Sequence, residues 1–86
     1  MYRIEFRPAA VKQLQAIERK GQRRIIHRIE ALADDPRPRG AHKLAGSDST
    51  YRIRVGDYRV VYDILDAKLI VLIVKVGHRW EIYRGR

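Results

Sequence analysis

Arg52, Arg54 and Arg59 fall within twelve residues, Tyr51-Arg-Ile-Arg-Val-Gly-Asp-Tyr-Arg-Val-Val-Tyr62, at a spacing that could gather three fixed positive charges. Tyr51 to Val55 alternates apolar and charged residues, the period of a half-buried strand. Gly56-Asp57, with glycine first, suits a two-residue type II′ connection. That turn predicts a hairpin with Arg54 opposite Arg59 and Arg52 opposite Val61. The three arginines then share one face, and Tyr51, Ile53, Val55, Tyr58, Val60 and Tyr62 share the other. Like charges directly opposite on a sheet repel. A guanidinium stays charged and donates through a planar fork that fits phosphate. The chemistry expected of such a face is therefore to hold a concentrated anion, phosphate first.

The tail offers a second group, Val76-Gly77-His78-Arg79-Trp80-Glu81-Ile82-Tyr83-Arg84. In an extended segment Arg79, Glu81 and Tyr83 point one way and His78, Trp80 and Ile82 the other. An arginine and a tyrosine are thereby delivered beside the hairpin arginines. His78 has the intrinsic pKa for acid–base work, but alternation turns it to the Trp80 side and favours a structural or rim role. The plain alternative for Arg59 and Arg79 is ion pairing with Asp57, Asp63 or Glu81. Lys43 and Arg84 are further cations suited to an RNA backbone. His27 and His42 have no evident partner, and three scattered histidines without a carboxylate cluster predict no metal.

These residues need a scaffold. Tyr2 to Phe6 alternates as a first strand with Tyr2, Ile4 and Phe6 facing a core. Pro8 opens a helix carrying Val11, Leu14 and Ile17, and Gly21 marks a break. A second helix, from about Gln22 to Asp34, sets Ile25, Ile26, Ile29, Leu32 and Ala33 on one face before Pro36, Pro38 and Gly40 end it. A polar connection over 35–50 leads to the hairpin, a turn near Asp66-Ala67, an apolar strand over 69–76 and a short terminal segment with a fourth strand in prospect. The order predicts one α+β domain over residues 1–86: an antiparallel-rich sheet of three to four strands with an N-terminal helical hairpin on one face. The arginines belong to the other face.

The composition fits this assignment. The 86 residues carry 19 Lys and Arg against 10 Asp and Glu, a net charge of +9. Such a balance favours a polyanionic partner, nucleic acid or a very acidic protein. No cysteine is present, so disulfides and thiolate metal sites are excluded, which fits a reducing cytoplasm. No signal peptide is evident, and the run Leu69–Val74 is far too short to span a bilayer, so neither a membrane nor a cofactor is expected.

Three motifs in order, Lys43-Leu-Ala-Gly46, Tyr51–Tyr62 and Val76-Gly-His-Arg79 with Tyr83, resemble the RelE branch of the RelE/ParE toxins across essentially the whole chain. The resemblance implies a toxin of a type II toxin–antitoxin pair. Such a toxin enters the ribosomal A site and cuts mRNA there without a metal, by attack of a ribose 2′-OH on the adjacent phosphate. Its expected partners are a cognate acidic antitoxin, the 70S ribosome and the A-site mRNA. By position, Arg52 and Arg54 match a basic pair of the family, Arg59 and Arg79 its two arginines, and Tyr83 its C-terminal tyrosine. The best-known pattern has lysines at the first two positions. Arginine cannot act as a base at neutral pH, so Arg52 and Arg54 are assigned to clamping phosphate. Tyr83 is left with two roles, proton acceptor or stacking platform for a base. Rival readings are a ParE-like gyrase inhibitor, a degenerate binder of RNA or antitoxin, and a plain basic RNA-binding module.

Overall fold

The computed structural model describes residues 1–78. Its elements follow the order β1 (Arg3–Phe6), α1 (Pro8–Gln15), α2 (Arg19–Ala31), β2 (His42–Lys43), β3 (Thr50–Val55), β4 (Tyr58–Leu65) and β5 (Ile70–His78), with a 3₁₀ turn at Asp66–Lys68. The strands form one sheet in the order β1-β5-β4-β3-β2. Only β1 runs parallel to its neighbour, and the other pairs are antiparallel. Among the described residues the sheet has five strands rather than three to four, because the connection expected to be irregular contributes β2. The terminal strand envisaged beyond residue 78 lies outside the described residues.

The helical hairpin covers one face. Ala10 of α1, Ile25 and Ile29 of α2, and Leu32 just past its end pack into one buried cluster with Ile53, Val55, Val60, Tyr62, Ile64, Val71, Ile73 and Val76 of the sheet. Two helix boundaries differ from expectation. The second helix begins at Arg19, because the Glu18 carboxylate caps it by accepting from the Gly21 amide at 2.6 Å. Gly21 is therefore inside the first turn and not a break. A Cβ there would lie 2.9 Å from Ile17 Cγ2 and 3.2 Å from a Tyr58 ring carbon, which explains the glycine. The helix ends at Ala31, several residues before Pro36.

Other edges shift for local reasons. The apolar strand starts at Ile70, since Leu69 takes up a left-handed conformation (φ 55°) closing the 3₁₀ turn. Phe6, expected inside, stays 36 % exposed on the edge strand β1. Where β1 stops, Gln13 of α1 takes over the free edge of β5, its side-chain oxygen accepting from the Val76 amide at 2.8 Å. In β5 the ladder slips by one residue: Ile73 pairs with Tyr62 and Lys75 with Val61, leaving Val74 as a bulge. Among the described residues no helix is long and apolar enough to cross a membrane.

Candidate functional site

The hairpin has the register that its turn demands. Gly56 has a positive φ of 60°, Asp57 does not, and Arg54 stands opposite Arg59 with Arg52 opposite Val61. Ile53, Val55, Val60 and Tyr62 point into the helix-covered core, so the arginines occupy the other face. Arg59 is the deepest of them, 9 % exposed, and its β5 neighbour is Gly77. A residue without a side chain at that ladder position leaves room for the guanidinium. Nη1 of Arg59 donates to the Tyr58 carbonyl at 3.2 Å. Arg54 is exposed. Among the described residues the two ion pairs join Arg3 to Glu5 and Arg37 to Asp66. Asp63 instead accepts from the Thr50 hydroxyl. Pairing of Arg59 with Asp57 or Asp63 is thus not what the fold uses.

Not every cation or histidine singled out in the sequence joins this face. Lys43 pairs across the ladder with Tyr51 and so lies on the helix side. His78 pairs with Tyr58 and presents its ring edge-on to it, with centroids 6.0 Å apart, also on the helix side. Arg79, Tyr83 and Arg84 lie outside the described residues. In their place the structure adds three residues. His42 stands opposite Arg52 on the arginine face. Arg28 of α2 and Arg39 of the α2–β2 connection line, with Gly40, His42, Arg52, Arg54 and Arg59, one cleft of about 410 Å³. No periodicity points to His42 in a two-residue strand, and helical spacing says nothing of which sheet edge Arg28 reaches.

The connection bearing Arg39 is firmly held. The Tyr62 hydroxyl donates to the Pro36 carbonyl at 2.8 Å, and the phenol, pushed up to about 12 chiefly by burial, remains protonated. Arg37 donates to Asp66 at 2.8 Å and to the Tyr51 hydroxyl at 3.1 Å, with its guanidinium carbon 5.4 Å from that ring's centroid. Tyr2 donates to the same Asp66 carboxylate. Hydrogen bonds from Arg37 and Tyr2 hold the Asp66 carboxyl below its usual value. A tight turn follows, closed by the Ala41 amide donating to the Pro38 carbonyl at 3.0 Å, with Gly40 at φ 94° as its second corner. Arg39 is the first corner, projected outward and exposed.

Fixed cations that need not reorganise are suited to charge that grows during a reaction, as on a phosphate passing through five-coordination. They are not suited to moving protons.

Comparison with known proteins gives a consistent picture. The chain matches the family described as ParE toxin of type II toxin-antitoxin system, parDE, over residues 4–83. The mRNA interferase toxin RelE of Escherichia coli K12 is 28 % identical over 86 residues, covering 95 % of this chain and 90 % of that protein. The archaeal RelE–RelB complex from Pyrococcus horikoshii OT3 contains a similar chain at 32 % identity and a TM-score of 0.81, with 91 % and 94 % of the two chains covered. Isolated E. coli RelE superposes with a TM-score of 0.82 at 26 % identity, covering 99 % of this chain and 94 % of that one.

Proposed function

Because the chain belongs to the RelE/ParE family of type II toxins, on its RelE branch, we propose that it is a metal-independent endoribonuclease that cuts mRNA in the ribosomal A site. The observation carrying this reading is the directly opposed pair Arg54 and Arg59, with Arg52 alongside, on the sheet face that bears no described helix. The 2′-oxygen attacks phosphorus and the bond to the 5′-oxygen breaks, leaving a 2′,3′-cyclic phosphate and a 5′-hydroxyl. The 2′-OH proton passes to a base, and the departing oxygen takes one from an acid. Arg59, with Arg79 assigned by resemblance, grips the phosphate and neutralises the charge of the transition state. Arg52 and Arg54 clamp it. Tyr83 is assigned to proton transfer or base stacking, which Tyr83→Phe separates by keeping the ring and removing the proton. The partner that silences it is a cognate antitoxin, as RelB partners RelE in the archaeal complex, and an acidic chain would complement the net charge of +9.

The test is an mRNA programmed on 70S ribosomes with an empty A site, beside the same mRNA free. Cuts on the ribosome ending in cyclic phosphate, with free mRNA left intact, are the expected result. Intact mRNA in both arms overturns the reading. The family match carries the ParE name, so a supercoiling assay with DNA gyrase belongs in the same experiment, and inhibition there without RNA cleavage assigns the second function.

A further inference from the structure

The cleft holds more charge than one phosphodiester calls for. Arg52, Arg54 and Arg59 come from the sheet face, whereas Arg28 reaches it from α2 and Arg39 from the α2–β2 turn. One phosphodiester carries a single negative charge. Guanidinium groups crowded around one cleft repel one another, and a ligand with several negative charges relieves that repulsion. Among the described residues neither Arg28 nor Arg39 forms an ion pair, both of those present lying elsewhere. Arg39 is also preorganised, since its turn is locked from both sides by Tyr62 with Arg37 and by the pairing of β2 on β3. His42, opposite Arg52, lies between the two groups and offers a ring donor.

We propose that Arg28, Arg39 and His42 form a second phosphodiester subsite, holding the RNA backbone one linkage away from the phosphate clamped by Arg52, Arg54 and Arg59. The proposal rests on RNA being the ligand of the arginine face. The backbone then enters over the β3 edge of the sheet, past the short β2, and continues across the hairpin. Contacts of this kind position a strand and carry no base information.

The probe is a short single-stranded RNA with 2′-O-methyl riboses, which binds but cannot be cut, titrated against the full chain over a range of salt. Arg28→Ala and Arg39→Ala should each flatten the dependence of log affinity on log salt by about 0.7, the value for one lost single-strand phosphate contact. Arg39→Lys should restore it, and thermal midpoints should not move. A single neutral methylphosphonate linkage next to the clamped position should weaken binding by the wild type and leave the double variant unaffected. An unchanged slope in the double variant overturns the subsite. So does a double variant that keeps its RNA affinity but loses affinity for the cognate antitoxin, which reassigns these arginines to an acidic protein. The two claims fail separately. Wild-type protein that binds this RNA with the stated slopes but never cuts on ribosomes removes the nuclease and keeps the subsite. Cleavage with slopes indifferent to Arg28 and Arg39 does the reverse.

Discussion

Arg59 combines two properties that seldom meet: it is 9 % exposed, and among the described residues no carboxylate pairs with it. Keeping a guanidinium in that position works against stability. Arg59→Met, of similar length and apolar, should therefore match or exceed the wild-type melting temperature, the gain amounting to at most a few kcal/mol, about 1–4 where buried ion groups have been replaced. The same change should lower single-turnover mRNA cleavage about a hundredfold or more, as loss of a preorganised donor does. Arg59→Lys should recover little of that rate, because a point charge cannot replace the fork. A variant both less stable and fully active would refute the assignment. This residue was legible from sequence because a two-residue turn led by glycine admits one register, and register fixes the face. His42, Arg28 and Arg39 were not, because their convergence depends on how a helix and a polar connection meet one sheet edge.

At the scale of elements, glycine was the most misleading residue. Gly21 reads as a helix breaker by propensity, yet it is the third residue of α2, wedged against Ile17, Glu18 and Tyr58. Gly21→Ala gains about 1 kcal/mol of helix propensity but must displace a β-branched side chain and the capping carboxylate, which costs about 1–3 kcal/mol. The expected outcome is a lower midpoint in urea unfolding. Leu69 is the opposite case, an exposed side chain held at φ 55°. Leu69→Asn should raise stability by about 1 kcal/mol, since asparagine tolerates the left-handed region. Alternation and helical spacing revealed most strands and both helices, because each buries one face against a common core. The two-residue β2 was hidden, being too short for any period to register.

The whole molecule is fastened around Asp66, where the N-terminal strand region, the α2–β2 connection and the β4–β5 turn meet through Tyr2, Arg37 and the carboxylate. Its folded carboxyl value is depressed, so its contribution is complete above the ordinary aspartate range and is lost as pH falls through the lower folded value. The Tyr2 phenol is raised, chiefly by its bond to Asp66, so that contribution is present below pH 10 and disappears above it. Melting temperatures of wild type and Asp66→Asn should differ at neutral pH and draw together as the pH falls below the ordinary aspartate value. A gap that does not narrow with acidification would mean that the clamp does not act through the carboxylate. At neutral pH the same variant should loosen the segment that presents Arg39, visible as faster amide exchange at Ala41, whose N–H closes the turn.

The bulge at Val74 sets the parity of everything that β5 delivers after it. Were Val74 kept and the ladder regular, Val61 would pair with Val74 and Val60 with Lys75, turning Lys75 inward and bringing His78 to the arginine face in exchange for Gly77. Deleting Val74 removes only the looped-out residue: Ile73 and Lys75 become neighbours on a regular ladder, and each keeps the partner and the side it has now. The faces that β5 presents up to His78 therefore depend on whether Val74 is looped out, more than on the length of the strand.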